Sequence, residues 1–551
     1  MYSVFSTEKN NLVNNLSFTK INVMRTLFSF TFIAICSVIN GQDIDRILNS
    51  KLFSHSGSVS LNTTSRFERH SSNPFNYVLS ADYTPEIFGI AVPFSMMYSN
   101  QKFSYGLPFG YWRLAPSYRW IRTQFGEANV QLSPYSLSGH RFRGVAVDVE
   151  PNQQWQVSAL YGRLNEYRPA DSNGQNGVLQ RLCYGTKITY NGSKYSLSSS
   201  FFKAKDLANS DLDIAPQENV VLGFSGYWTF AKNIRVSGDY ASSALTKNTN
   251  DELIHSNLRV QNLAGSFLPY RLSTTVFHAY KINFGSPFLN VGYEYVAPNY
   301  QSLGTYFFAN DFENFTINGL HKFRNITVGG RFGVQNDDLR NQKNSSNRRL
   351  VYAANVDYNG SSRLSGQINY STFQTFSRVE KFLTEHDNTD PYAYLDTLTF
   401  RQVEQHGDVA IGYRLRETTT SQQQIQLFVS LQNAQQNGNF VTSSVNYSWS
   451  EKSGRNFGSS VFLHHDAFAD ESRSSFGTTA FFGDAFSEKR GRWRVTASHT
   501  QNFKNQNALI LKASASYVFQ KKHPVQMQFS QRFGKDYSVL LSLNYGYSFG
   551  R

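Results

Sequence analysis

Three short stretches carry residues able to do chemistry. His464-His465-Asp466 sets two imidazoles beside a carboxylate, the residue types of metal sites and His/Asp proton relays. A metal takes three or four ligands, and no second cluster stands at a readable spacing, so this triplet reads as a polar strand end. Gly223-Phe224-Ser225-Gly226 offers a serine between glycines. It departs from the Gly-x-Ser-x-Gly nucleophile elbow and lies inside an alternating run. The third stretch, Gln131–Arg143, is rich in Pro, Tyr and Gly and contains Tyr135, His140, Arg141 and Arg143. A basic, aromatic loop of this kind would narrow a pore or bind an anionic group. No catalytic, metal or cofactor set emerges, and the chain reads as not an enzyme.

Isolated cations form a second class of candidate. Arg235, Lys281, Arg331, Arg414, Arg494 and Lys512 each sit between apolar or small neighbours. In a strand, alternation would point all six to the face opposite the apolar one. Asp239, Glu294 and Asp357 fall on that same face, so the lining reads as mixed. The formal net charge of +14 tips it positive. No clustered basic patch on a soluble module appears, so no nucleic-acid partner is expected.

The elements that must hold these residues are strands. Leu541, Leu543, Tyr545, Tyr547 and Phe549 alternate with Ser542, Asn544, Gly546 and Ser548. Val525, Met527 and Phe529 alternate with glutamines and serine, and Leu509, Leu511, Ala513, Ala515, Tyr517 and Phe519 repeat the pattern. Far upstream, Val220, Leu222, Phe224, Trp228 and Phe230 share one face, as do Leu289, Val291, Tyr293 and Tyr295. Side chains switch face at each strand residue, so period two means one apolar and one wet side. Aromatics reach 15% while mean hydropathy is −0.43, the mixture of a wall between lipid and water. About 26 strands (22–26) can be counted, with turns such as Asn191-Gly192-Ser193 alternating with long connections such as Leu245–Tyr270, Ala297–Asp311 and Thr375–Phe400. The expected fold is all-β: a transmembrane antiparallel up-and-down β-barrel over 57–551. A propeller or a row of sandwiches would not alternate its connections, and no 40–50-residue repeat is visible.

Ahead of the barrel, Arg25 followed by apolar Leu27–Ile39 and then Ile39-Asn40-Gly41 reads as a signal peptide over 24–41, cleaved before Gln42. Residues 1–23 read as a mis-annotated upstream extension with Met24 as the start. Residues 42–56 form a short periplasmic lead-in. Cys183 would then be the sole mature cysteine, which excludes an intramolecular disulfide. An even strand number places both termini in the periplasm. Asp396-Thr397-Leu398 matches a short O-glycosylation pattern in a long outside loop.

Five segments carry a family likeness: Phe103–Phe109, Leu132–His140, Leu160–Asn165, Phe202–Asp206 and Glu218–Gly223. Over roughly residues 85–245 the chain resembles large outer-membrane barrel proteins of the Bacteroidetes, a group without an assigned activity. The resemblance implies a location rather than a reaction. Taken together, the sequence is expected to encode an outer-membrane barrel that passes small, anionic solutes through a lumen narrowed by inward loops. The alternative is a non-conducting barrel subunit of a surface secretion or assembly complex. Expected partners are outer-membrane lipid and lipopolysaccharide, the barrel-assembly machinery during insertion, and unidentified surface or periplasmic proteins. A plugged, energised receptor is disfavoured, because strands begin soon after the cleavage site.

Overall fold

The computed structural model describes residues 53–68, 75–87, 90–100, 111–170, 177–231, 233–254, 264–305, 308–343, 345–360, 363–380, 397–434, 438–468, 471–502, 506–534 and 537–550. The upstream extension, the signal segment, most of the lead-in, Phe103–Phe109 and Asp396 lie outside these residues. The chain divides into two compact units, residues 1–54 with 86–90 and the remainder, and the second unit carries the barrel wall and the lumen.

Twenty-eight paired segments build one antiparallel sheet that closes as 26 strands. The two counts differ because prolines interrupt two strands. Pro93 separates Ile90–Ala91 from Phe94–Ser99, and Pro116 separates Tyr111–Leu114 from Ser117–Tyr118. Proline has no N–H to give the ladder. Pairing nevertheless continues past both breaks, through Ala115 N–H to Pro93 O at 2.7 Å and Thr123 N–H to Pro116 O at 2.9 Å. Closure joins the first strand to the last, from Gly57 opposite Phe549 to Glu68 opposite Ser538. A closed sheet leaves no edge, so every strand has a hydrogen-bonded neighbour on both sides.

Register fixes which side chains share a face, because directly paired residues point the same way. One row runs Asn355, Asn369, Asp408, Ser430, Thr442, His464, Ser475 across seven consecutive strands. Another runs Asp239, Lys281, Glu294, Asn314, Gln335, Arg349. The intervening positions hold large apolar residues left exposed, among them Tyr161, Leu197, Phe224, Trp228, Ile282, Phe332, Ile411, Val461, Val495 and Leu511. The polar rows therefore line the lumen and the apolar rows form the outer wall, as period two requires.

The expected alternation of long and short connections fails over part of the chain. It holds where residues 129–141, 166–180, 207–217, 247–273 and 297–311 join strands at the end far from the termini. Later connections at that end shrink to 435–437, 469–470, 503–505 and 534–537, as short as the opposite turns. The strands lengthen instead. Leu364–Glu380 has 17 residues and Thr397–Glu417 has 21, against about 9–11 needed to cross hydrocarbon. Of the stretch expected to be a long loop over Thr375–Phe400, Thr375–Glu380 and Thr397–Phe400 belong to these two strands, and residues 381–396 lie outside the described residues. The first strand begins at Phe53, inside the segment expected to be lead-in.

Packing is lopsided. Apart from Ala434, every fully buried apolar residue among those described lies between Ala128 and Leu303. Part of this core sits inside the barrel. A smaller part lies outside it, where Ala264 and Leu268 of the 247–273 connection cover the outer-wall residues Val220, Leu222 and Ala244.

Candidate functional site

Two connections fold into the lumen and bind each other. The first, residues 129–141, is the loop expected to constrict. Its backbone doubles back through Leu132 N–H to Leu137 O at 3.1 Å and Ser136 N–H to Ser133 O at 3.2 Å. Leu132, Tyr135, Leu137 and His140 are buried against Phe142, Leu160, Cys183 and Phe202, all on lumen-facing strand positions. The second connection, residues 297–311, shows in the sequence only as a long loop. It contributes Tyr300 and Leu303 to the same core. Tyr300 Oη donates to Tyr135 O at 2.8 Å, Ser302 Oγ to Ser136 O at 2.6 Å, and Ser138 N–H to Gly304 O at 3.4 Å. Gly304 is needed there, since a Cβ would stand 2.5 Å from Ser136 O.

The strand wall holds this pair of loops with polar groups. Asn219 is fully buried. It donates to Ser243 Oγ and to Ala244 O, both at 2.9 Å, and accepts from Leu303 N–H at 3.2 Å. Ser243 Oγ in turn donates to Gln301 O at 2.6 Å. Tyr135 Oη donates to Glu294 Oε1 at 2.8 Å, and Lys281 Nζ donates to the other oxygen of Glu294 at 3.2 Å. Burial, with the Glu294 charge second, pushes the Tyr135 hydroxyl above its ordinary value, so it stays a neutral donor. Burial pushes His140 the other way, down to about 4, and Arg181 acts in the same direction. His140 Nδ1–H donates to Arg141 O at 2.7 Å, so the docked imidazole is neutral and carries its proton on Nδ1.

The remaining loop candidates lie elsewhere. Arg141 is exposed. Arg143 shares the outward face with Val145, while Phe142 and Ala146 point to the core, and it pairs with Glu127 at 2.8 Å. Arg143 therefore belongs to the outer wall and not to the loop's lumen surface. Strand alternation, applied one residue past the loop, would have separated it from Tyr135 and His140.

All six isolated cations fall on the lumen face, but their environments differ. Lys281 is paired with Glu294, and Arg414 with Glu417 at 2.5 Å. Arg235 lies 4.1 Å over the Tyr227 ring. Arg494 lies 4.5 Å over Phe481, with Nη2 3.3 Å from Asn456 Oδ1. Arg331 and Lys512 are exposed.

Register adds two residues that sequence reasoning missed and places four cations in a line. Arg492 is opposite Ser516, Arg494 opposite Ser514, Lys512 opposite Thr496, and Arg532 opposite Ile510. These are four successive lumen rows with one cation in each. At two residues per step the line covers about 20 Å of wall. All four are exposed, and no carboxylate pairs with them among the described residues. The described lumen positions from Ser472 to Phe549 hold no Asp or Glu at all. Over that stretch the sequence has eleven Lys or Arg and three Asp or Glu, so one seventh of the chain carries eight of the fourteen net charges. The wall between the cations is Thr496, Ser498, Ser514, Ser516, Gln526, Gln528, Ser530 and Ser542, a run of small hydrogen-bonding groups.

The His464 cluster does not converge. His464 faces the lumen, with Nε2 2.5 Å from Asp466 Oδ1 and Nδ1 2.7 Å from Thr442 Oγ1. His465 faces outward and pairs with Ser474 Oγ at 2.6 Å. Among the described residues no three His, Cys, Asp or Glu side chains are placed to hold a metal ion.

No protein-family model and no curated protein matches the chain. Solved structures with slight similarity include the P pilus usher PapC translocation pore, at 9% identity and TM-score 0.38, with 90% of this chain and 99% of that chain covered. OccK11 (OpdR) of Pseudomonas aeruginosa aligns at 8% identity and TM-score 0.31, over 91% of this chain and 96% of that one. The copper transporter OprC aligns at 6% and 0.38, over 91% and 81%. Similarities this slight say nothing about solute or partner.

Proposed function

We propose that the protein is an outer-membrane diffusion channel for small anionic solutes. The observation that carries this reading is the line Arg492, Arg494, Lys512 and Arg532 on a lumen wall free of described carboxylates. Charged linings set selectivity in wide barrels, and unpaired cations one row apart let an anion pass between neighbouring sites without a deep trap. The loops 129–141 and 297–311 fill the opposite side and so force solutes toward the basic wall. A wide barrel needs such narrowing before wall charges can act on what passes. The termini end is periplasmic in this reading. Lipid and lipopolysaccharide surround the apolar outer wall, and the barrel-assembly machinery inserts it.

Liposome swelling tests the proposal. Vesicles carrying the chain from Gln42 to Arg551 are expected to swell faster in a small organic acid salt than in a cationic solute of similar size. Equal rates would remove the anion assignment, and no swelling would remove the channel. The tight packing of Tyr135, Tyr300 and Leu303 favours a second reading, a closed barrel serving a surface complex. A silent barrel that co-purifies with one surface protein would support that reading.

A further inference from the structure

Resting on the membrane-barrel reading, we infer that the outer wall binds one phospholipid of the termini-side leaflet. Its acyl chain lies in a hollow over Gly226 and Gly238, and its phosphate sits at Lys194. The hollow is a consequence of register. Gly226 and Gly238 are directly paired on adjacent strands and both face outward. Leu197 flanks them on one side and Ile282 on the other. The pair Phe224 and Tyr240 stands one row above, and Trp228 with Val236 one row below. The absent side chain at Gly238 stands open amid bulky neighbours in a hollow of about 1130 Å³, while at Gly226 a Cβ would stand 2.5 Å from Ser196 O and 3.1 Å from Leu197 Cδ2. Glycine inside a strand adds nothing to packing and marks a close approach, here of the Ser196 backbone at Gly226 and, in this inference, of a lipid chain over the open Gly238.

Both ends of the hollow define what fits. At the termini end, Trp155 and Tyr190 have ring centroids 4.9 Å apart, and Tyr190 and Tyr195 are 5.9 Å apart. Amphipathic rings of this kind settle at headgroup level. Lys194 lies exposed in the adjoining turn, whose backbone is held by Thr229 N–H to Lys194 O at 2.7 Å. Among the described strand residues from Trp155 to Val296, Glu218 is the sole outward carboxylate, and it lies at the far end. A lysine with no outward carboxylate on the described strands beside it, Glu150 of the neighbouring turn being held by Arg122, attracts a phosphodiester. At the far end the hollow stops where Leu268 covers Val220 and Leu222, and where Phe267 meets Phe201 edge-on at 5.6 Å. The opening therefore faces hydrocarbon and the near headgroups, which suits one chain with an anionic head.

The test uses the full chain purified in mild detergent, with phospholipid per barrel read by native mass spectrometry. Gly238→Trp fills the hollow, and its strand accepts a side chain, because a Cβ there meets nothing closer than Lys281 O at 3.7 Å. Expected are retention by the wild type, about tenfold weaker retention by Gly238→Trp, equivalent to ~1.4 kcal/mol, a smaller loss in Lys194→Gln, and no loss in Leu543→Trp on the opposite wall. Heat-dependent gel mobility confirms that each variant is folded. Equal retention by wild type and Gly238→Trp would overturn the inference. So would a wild-type dimer that Gly238→Trp converts to monomer, or release of the bound species by inorganic phosphate alone. Failure of the underlying reading would show separately, as absence from the outer-membrane fraction.

Discussion

The wall from Ala128 to Asp311 and the wall from Asn456 to Phe549 are made of the same kind of strand and behave as opposites. The first carries long connections that return into the lumen and bury Tyr135, His140, Tyr300 and Leu303 against it. Two of its lumen cations are paired locally, Lys281 with Glu294 and Arg181 with Asp206 at 2.6 Å, and Arg235 lies over the Tyr227 ring. The second has connections of a few residues, no buried apolar lumen residue among those described, and four cations, Arg492, Arg494, Lys512 and Arg532, with no carboxylate partner among the described residues. Where loops return, the wall becomes a packing surface, and its polar groups serve docking. Where they do not, the wall stays wet, and its charges are left for whatever passes.

The largest expected effect strikes the second wall. Changing Arg492, Arg494, Lys512 and Arg532 together to Glu replaces four positive rows with four negative ones. Reversal potentials in a salt gradient are expected to change sign, while heat-dependent gel mobility stays that of a folded barrel. The same exchange at Lys281 and Arg414, already paired, is expected to move the potential far less.

Next comes a variant that breaks the contrast itself. Gly304→Val drives atoms into Ser136 O and the Phe202 ring, which a Cβ would approach to 2.5 and 2.8 Å. Overpacking of this kind costs ~1–3 kcal/mol. Both loops are expected to leave the lumen, raising single-channel conductance and its noise without unfolding the strands.

Acid should do the same more gently. Docked His140 titrates near 4 and a released histidine near 6.5, so the undocked loop binds more protons between those values. Docking is thus at full strength above about pH 6.5, weakens as pH falls through the window, and has lost ~3 kcal/mol by pH 4. Conductance is expected to rise between pH 6.5 and 4 in the wild type and stay flat in His140→Gln. The smallest effect is that of Tyr135→Phe. It removes one hydrogen bond to Glu294 while Lys281 keeps that carboxylate paired, a loss of ~1 kcal/mol. It should show as a modest shift of the acid midpoint toward neutrality.

The strands were legible because alternation is local: Leu541 to Phe549 and Val220 to Phe230 each reveal a two-faced strand by themselves. Strand number followed, and with it closure. The first lumen loop was legible at Tyr135 and His140 because its aromatic and basic composition is unusual for a turn. Its partner at 297–311 escaped notice, since what makes it fold inward is Asn219 and Ser243, buried wall residues distant in sequence. The basic line escaped for a related reason. Arg494 and Lys512 were visible as lumen residues, but only the pairing register sets Arg492 and Arg532 in successive rows with them. Connection length misled at Thr375–Glu380 and Thr397–Phe400, because residues that lengthen a strand and residues of a loop count alike between two apolar runs.

The measurement that bears most directly on the anion-channel reading is the reversal potential of the wild-type mature chain in a planar bilayer across a salt gradient. Steady conductance with a potential displaced toward that of the anion is the predicted result. A silent membrane, or a potential displaced toward the cation, would contradict it.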